Sequence, residues 1–331
     1  MRIAVFDTKP YDKDMLVKAG AGKLTWVFIE SRLNSQTASL AKGCEAASIF
    51  VNDRADAPAL AALKKAGVGM LALRCAGYSQ VDLKAAARLG LKVCRVPAYS
   101  PHAVAEHTLA LLLCLNRKIH RAHLRVKEHD FRLQGLLGWD LHGKTVGVVG
   151  TGRIGQLVAQ AFRGFGCTVL AHDPKPAPAW ARRHGVVYKG MAALLKASDI
   201  VTLHLPLSPA TRHLINARSL AQMRPGAYLV NTSRGALLDT AAVIRVLKQG
   251  RLGGVALDVY EEEEGVFFED HSADVIDDAL ARLLSFPNVL VTSHQGYFTQ
   301  DALIEIGRVS AENLLRHAAG KAFLKGTALV V

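Results

Sequence analysis

The chain is poor in cysteine and in aromatic residues, and it has no apolar run that matters to a membrane. Its five cysteines, Cys44, Cys75, Cys94, Cys114 and Cys167, are odd in number, far apart and never spaced Cys-x-x-Cys. That pattern excludes a disulfide framework and a cysteine-based zinc site. Residues 109–115 form the longest apolar stretch, far short of the roughly 20 residues a spanning helix needs. Four apolar residues between Arg2 and Asp7 are too few for a signal-peptide core. A cytoplasmic protein with reduced, mostly buried thiols is expected.

Acidic residues are also scarce: 28 Asp plus Glu stand against 41 Lys plus Arg, a net charge of +13. The positives are spread along the chain, with no finger motif and only 6% aromatics. The excess therefore reads as a basic surface that attracts small anions, and no nucleic-acid partner is expected. Half of the residues are apolar, which excludes a disordered chain. A length of 331 residues corresponds to about two domains at roughly 100–200 residues each.

Strand-length apolar runs alternate with helix-period stretches, the pattern of parallel α/β architecture. Strands are expected at residues 3–6, 26–29, 47–51, 70–73 and 92–96, with helices such as 58–65 and 82–89 between them. Pro97, Ser100 and Pro101 break the pattern. One long helix is expected over residues 103–127. A second unit follows, with six strands at 146–149, 168–172, 200–205, 228–231, 254–258 and 289–292. A final helix near 301–317 is placed to fold back on the first unit.

After the strand at 146–149 comes Gly150-Thr151-Gly152-Arg153-Ile154-Gly155, opening a helix. Such glycines allow a tight turn, close approach of backbone to a pyrophosphate and close helix–strand packing, while the helix N-terminus offers free N–H groups. The next strand ends at Asp173, at the spacing where a carboxylate accepts hydrogen bonds from an adenosine ribose. Asp173 repels a 2′-phosphate and favours NAD over NADP, although Lys175 lies two residues on.

Ligands of open parallel sheets bind beyond the carboxyl ends of the strands, and four strands here end in polar residues suited to hydride transfer. Reduction of a 2-keto acid needs a cation for the carboxylate, a proton for the carbonyl oxygen, and a carboxylate to orient and charge the proton donor. Arg234, His294 and one of Glu261–Glu264 meet these needs, but spacing does not choose among the four glutamates. An exposed arginine in a surface ion pair is the plain alternative for Arg234. Among 13 histidines, His204 at a strand end and His107 on the long helix compete with His294.

Several stretches together carry a family signature. They are residues 73–82, 95–101 with 104–107, the Gly150 loop, Asn231-Thr232-Ser233-Arg234-Gly235-Ala236-Leu237, Leu257-Asp258-Val259-Tyr260-Glu261, 267–270 and Thr292-Ser293-His294-Gln295. On these the chain resembles the D-isomer-specific 2-hydroxyacid dehydrogenases, and within them the bacterial fermentative D-lactate dehydrogenases. The resemblance implies two Rossmann-like or flavodoxin-like domains with doubly wound parallel sheets. Residues 1–101 and 298–331 would form a discontinuous substrate domain, and residues 102–297 an NAD-binding Rossmann domain.

By the same matching the catalytic residues fall on Arg234, Glu263 and His294. Tyr99 and the backbone N–H groups of Tyr78 and Ser79 would meet the substrate. Gly150, Gly152, Gly155, Arg153, Ile154, Asp173, Leu205, Pro206, Thr211, Thr232 and Ser233 would line NAD, with Asp258 near the nicotinamide amide. One departure is Gly296-Tyr297-Phe298 where lactate-type members usually read Ala-Phe-Leu, so that Tyr297 brings a phenolic oxygen to the wall of the substrate pocket.

The activity implied is reversible, NAD-dependent reduction of pyruvate to D-lactate in fermentation, without a metal, by a homodimer or homotetramer that pairs through the helix near residue 103. The alternatives are another 2-keto acid, phenylpyruvate, 2-ketobutyrate or glyoxylate reductase, and a dinucleotide-sensing binding protein of the co-repressor kind.

Overall fold

Buried runs of Val, Leu, Ile and Ala supply two sheets in the computed structural model, which describes residues 1–274 and 277–331. The chain begins β1 (Arg2–Val5), α1 (Pro10–Gly20), β2 (Thr25–Phe28), β3 (Ala46–Ile49), α2 (Ala57–Lys65), β4 (Met70–Leu73), α3 (Leu83–Arg88) and β5 (Lys92–Arg95). It continues through α4 (Pro101–Arg117), α5 (Ile119–Lys127), β6 (Thr145–Val149), α6 (Arg153–Gly164), β7 (Thr168–His172), α7 (Pro178–His184), β8 (Val186–Tyr188), α8 (Met191–Ala197) and β9 (Ile200–Leu203). The remainder is α9 (Ala217–Gln222), β10 (Ala227–Asn231), α10 (Thr240–Lys248), β11 (Leu252–Leu257), α11 (Asp278–Leu284), β12 (Val289–Val291), α12 (Gln300–Ala318) and β13 (Ala328–Val330).

Two compact units result, one of Met1–Ser100 with Phe298–Val331 and one of Pro101–Tyr297. In the first, the sheet order is β2-β1-β3-β4-β5-β13, the flavodoxin-like order with one edge strand added. Strand β13 runs antiparallel to β5, and α12 returns to pack on α1. Thr299 caps α12 by accepting the Ala302 N–H (3.3 Å), the usual way a helix satisfies a first-turn donor.

In the second unit every neighbouring pair is parallel, in the order β8-β7-β6-β9-β10-β11-β12. Because β6 pairs with both β7 and β9, the connections run outward in opposite directions from the β6–β9 pair. That is the topological switch point, where a crevice opens at the carboxyl ends. One apolar core fills one face of the sheet from β7 to β12, and another packs α4 and α6 against the other face. Val158 and Phe162 of α6 are fully buried, worth about 1.5–3 kcal/mol each.

Three sequence expectations change. The single helix over 103–127 is two helices, separated at Lys118, which takes a left-handed φ of 52°. The Lys118 ammonium donates to the Asn116 and Leu137 carbonyls (3.3 and 2.6 Å). Pro101 lies inside the first turn of α4, where a missing N–H costs nothing. The second sheet has seven strands, because the three-residue β8, with an alternating burial pattern, lacks the continuous apolar run that marked the others.

Candidate functional site

The second sheet sets its loop residues out in strand order along one edge. His294 follows β12, Asp258 to Glu263 follow β11, Arg234 follows β10, His204 to Pro206 follow β9, the glycine loop follows β6, and Asp173 follows β7. Titratable groups thus gather at the β10–β12 end, and a nucleotide cradle lies across the switch point.

The cradle depends on glycine for space. A Cβ on Gly155 would lie 1.9 Å from the Gly150 carbonyl oxygen, so only glycine lets the first turn of α6 close on the strand. Gln156 is the first to bond within that helix, to Gly152 (3.0 Å), leaving the preceding amides outside the ladder as donors for a phosphate. Asp173 accepts from the Thr151 amide and hydroxyl (2.7 and 3.1 Å) and the Lys175 amide (2.8 Å). Burial opposes its charge, but these bonds together hold it below the ordinary carboxylate range. A carboxylate has about four acceptor positions, so capacity remains for a ribose hydroxyl. The loop, the helix terminus and Asp173 fit an adenine dinucleotide. Thr151, which sequence reasoning passed over, joins them by also sharing a bond with the Tyr188 hydroxyl (2.8 Å).

Thr211 is tied into its own turn by bonds to Pro206 and Ser208. Ser233 donates to the Leu203 carbonyl (2.7 Å), and Thr232 is bonded to Thr108 (2.9 Å). His204 is poorly suited to give a proton. It is buried with Nε2 2.8 Å from Thr202 Oγ1, and burial drives its pKa down to about 3.

His294 pairs with Glu263 through Nδ1 at 2.9 Å, both side chains being about a quarter exposed. The second oxygen of Glu263 accepts the Tyr260 amide (3.0 Å), so the carboxylate is held from two sides. Among the described residues, Glu263 is the member of the glutamate run bonded to His294. Glu261 instead binds His213 (2.5 Å), Arg212 and Thr240. With Nδ1 engaged, Nε2 is left as the nitrogen that can exchange a proton. The ring of Phe268 lies 6.1 Å from the imidazole, centroid to centroid.

The His294 backbone has a left-handed φ of 52°, which costs a non-glycine residue about 1–3 kcal/mol and survives only where its surroundings fix it. Asp258 supplies much of that fixing. Its carbonyl accepts the His294 N–H (2.7 Å), and its buried carboxylate accepts the Gln295 and Gly296 amides (2.9 and 2.8 Å). Burial opposes the Asp258 charge, but the bonds from His107, Thr292 and Gly296 hold its carboxyl below the usual range.

Arg234 is exposed at the end of β10, and its one recorded side-chain bond is to the neighbouring Ser233 carbonyl (2.6 Å). Among the described residues it pairs with no carboxylate, so the ion-pair alternative finds no partner and the guanidinium is available to an anion. The next residue, Gly235, packs against the Tyr260 backbone, where a Cβ would lie 2.0 Å from the carbonyl. This contact seats the Arg234 loop against the one that carries Glu263.

Tyr78, Ser79 and Tyr99 belong to the first unit, after β4 and β5. The Arg95 guanidinium stacks on the Tyr78 ring at 5.0 Å and donates to the Ala76 carbonyl (2.6 Å). Tyr297 is buried at the end of the second unit. Among the described residues no group of three or more His, Cys, Asp or Glu is placed to hold a metal ion. No helix there is long and apolar enough to cross a membrane.

Known proteins resemble this chain in sequence and in fold. Residues 109–296 match the family model for the D-isomer specific 2-hydroxyacid dehydrogenase, NAD binding domain. The chain is 50% identical over 317 residues to 2-hydroxyacid dehydrogenase homolog 1 of Schizosaccharomyces pombe, covering 95% of each. Its fold is similar to the apo-structure of D-lactate dehydrogenase from Escherichia coli, with a TM-score of 0.92, 44% identity and full coverage of both chains. The pyruvate reductase of Chlamydomonas reinhardtii is similar at a TM-score of 0.93 and 44% identity over 98% of each chain.

Proposed function

From the premise that this chain belongs to the D-isomer specific 2-hydroxyacid dehydrogenases, we propose that it is an NAD-dependent D-lactate dehydrogenase that reduces pyruvate. Residues 109–296 bind NAD. The observation that carries the reaction is the His294–Glu263 hydrogen bond, with Glu263 one strand and His294 two strands from Arg234.

When bound, NADH supplies the hydride that the keto carbon receives. Arg234 binds the substrate carboxylate with its planar fork and polarises the carbonyl. His294 gives its Nε2 proton to the carbonyl oxygen, forming the hydroxyl as the C=O π bond breaks. Glu263 orients the ring through Nδ1 and stabilises the imidazolium before that transfer. In the oxidative direction the same imidazole takes the proton back.

Tyr99, Tyr297 and the backbone amides of Tyr78 and Ser79 are assigned to the substrate. Leu205, Pro206, Arg153, Ile154 and Thr232 line the cofactor, and Asp258 lies toward the nicotinamide amide. Reduction of pyruvate regenerates NAD in a fermentative role, and the cytoplasm suits five cysteines that are all free thiols. Subunits pair into a homodimer or homotetramer through α5 and the segment after it. There Leu133 and Leu137 are 82% and 89% exposed and Ile119, Leu124 and Phe131 are exposed nearby, an apolar surface that a second copy would cover.

The test is NADH oxidation with pyruvate, phenylpyruvate, 2-ketobutyrate and glyoxylate, followed by chiral analysis of the product. D-lactate formed with pyruvate as the best substrate is the expected result. Preference for another keto acid would replace pyruvate and keep the chemistry, whereas NADH binding without turnover on any of them would mark a dinucleotide sensor.

A further inference from the structure

Helix α4 sends two adjacent polar side chains to the strand ends, and hydride transfer accounts for neither. Thr108 bonds Thr232 (2.9 Å) in the loop that carries Arg234. His107 brings Nε2 to 3.1 Å from both Asp258 Oδ1 and Thr292 Oγ1. Thr292 Oγ1 donates to Asp258 Oδ1 (2.6 Å), so its lone pairs remain for a donor on His107, and a single Nε2–H serves both oxygens.

The same Oδ1 also receives the Gln295 amide, Oδ2 receives that of Gly296, and the Asp258 carbonyl receives that of His294. Three consecutive amides of the loop bearing the proton donor therefore hang on one aspartate, whose Oδ1 is also held by His107 and Thr292.

We propose that His107 is a positioning residue for proton transfer: through Asp258 and Thr292 it fixes the left-handed backbone of His294 and so keeps the imidazole at its working position against Glu263. The inference rests on the role proposed above for His294. Without the Nε2–H donor the carboxylate loses its anchor to α4 and turns, the loop amides lose their fixed acceptor, and His294 relaxes. A displacement of about 1 Å at a reacting group costs up to about 10²-fold in rate. A histidine that merely fills space between α4 and the sheet would be replaced by any side chain of similar volume.

The experiment compares His107→Leu, which keeps bulk and removes the donor, with His107→Gln, which keeps an N–H near the Nε2 position. In the leucine variant kcat for keto-acid reduction should fall roughly 10- to 100-fold while KM and the NADH Kd stay within about threefold. The glutamine variant should recover most of the loss. Amide hydrogen exchange at residues 294–296 should quicken with leucine and not with glutamine. Normal kcat and exchange in the leucine variant would overturn the proposal, as would a glutamine variant as impaired as leucine. Should the leucine variant fail to fold, Thr292→Val removes the bridging hydroxyl and is read by the same two measurements. A wild-type protein that reduces no keto acid would defeat the functional reading, while the exchange comparison would still decide whether His107 holds the loop.

Discussion

His204 ends β9 against the glycine loop, and its burial sets how the stability of the fold depends on acid. Nε2 lies 2.8 Å from Thr202 Oγ1, and Nδ1 is buried with no partner. Burial lowers the pKa from 6.5 to about 3, so the folded protein keeps neutral a ring that the unfolded chain protonates. Because the folded pKa is the lower one, this contribution to stability is complete above 6.5 and is lost as pH falls toward about 3. Within that window the unfolded state holds one extra proton, and the unfolding constant rises about tenfold per pH unit. At pH 5 the effect is a factor of about 30, or about 2 kcal/mol. His204→Gln is neutral at every pH and keeps an amide near Thr202, so its packing cost is the same throughout. Urea unfolding at one protein concentration, followed by tryptophan fluorescence, should show wild type losing about 2 kcal/mol relative to the variant between pH 7.5 and pH 5. A difference that stays constant over that range would mean His204 protonates as readily folded as unfolded, and the burial argument would fail.

His294→Gln should lower the rate of pyruvate reduction by a factor on the order of 10² to 10⁴ with NADH affinity nearly retained; wild-type turnover by that variant would remove His294 from the chemistry. For Arg234→Lys a large rise in KM for keto acids is expected, since an ammonium cannot reproduce a bidentate fork, and an unchanged KM would place the carboxylate elsewhere. Charging the exposed apolar surface with Leu133→Asp and Leu137→Asp should shift the protein toward monomer in analytical ultracentrifugation, and an unaltered assembly would mean subunits meet through another face.

The alternating strands and helices, the glycine loop and Asp173 were legible because each rests on local chemistry: apolar periodicity, a turn that tolerates no Cβ, and a carboxylate at a strand end. Arg234 and His294 were candidates by the same strand-end logic, and the family resemblance pointed to Glu263. Spacing alone could not separate Glu261 from Glu263, because four consecutive glutamates carry no periodic signal. Only the packing of Tyr260 and the approach of His213 send one carboxylate to His294 and the other away. The break at Lys118 was equally invisible, since nothing in a run of helix-forming residues announces a left-handed turn held by the Leu137 carbonyl. His107 stood only as a competitor of His294, and its contacts were hidden because its partners lie 151 and 185 residues away in the chain.

What the sequence determined by itself is the architecture and the list of reactive groups, since hydrophobic period, glycine and charge act over a few neighbours. What the tertiary structure decided is which of those groups meet. Hydrogen bonds across 31 residues from Glu263 to His294, and across 37 and 38 from Asp258 to Gln295 and Gly296, depend on β11 and β12 lying side by side. That pairing of whole strands, rather than any local preference, brings His294, one of 13 histidines, to the Glu263 carboxylate.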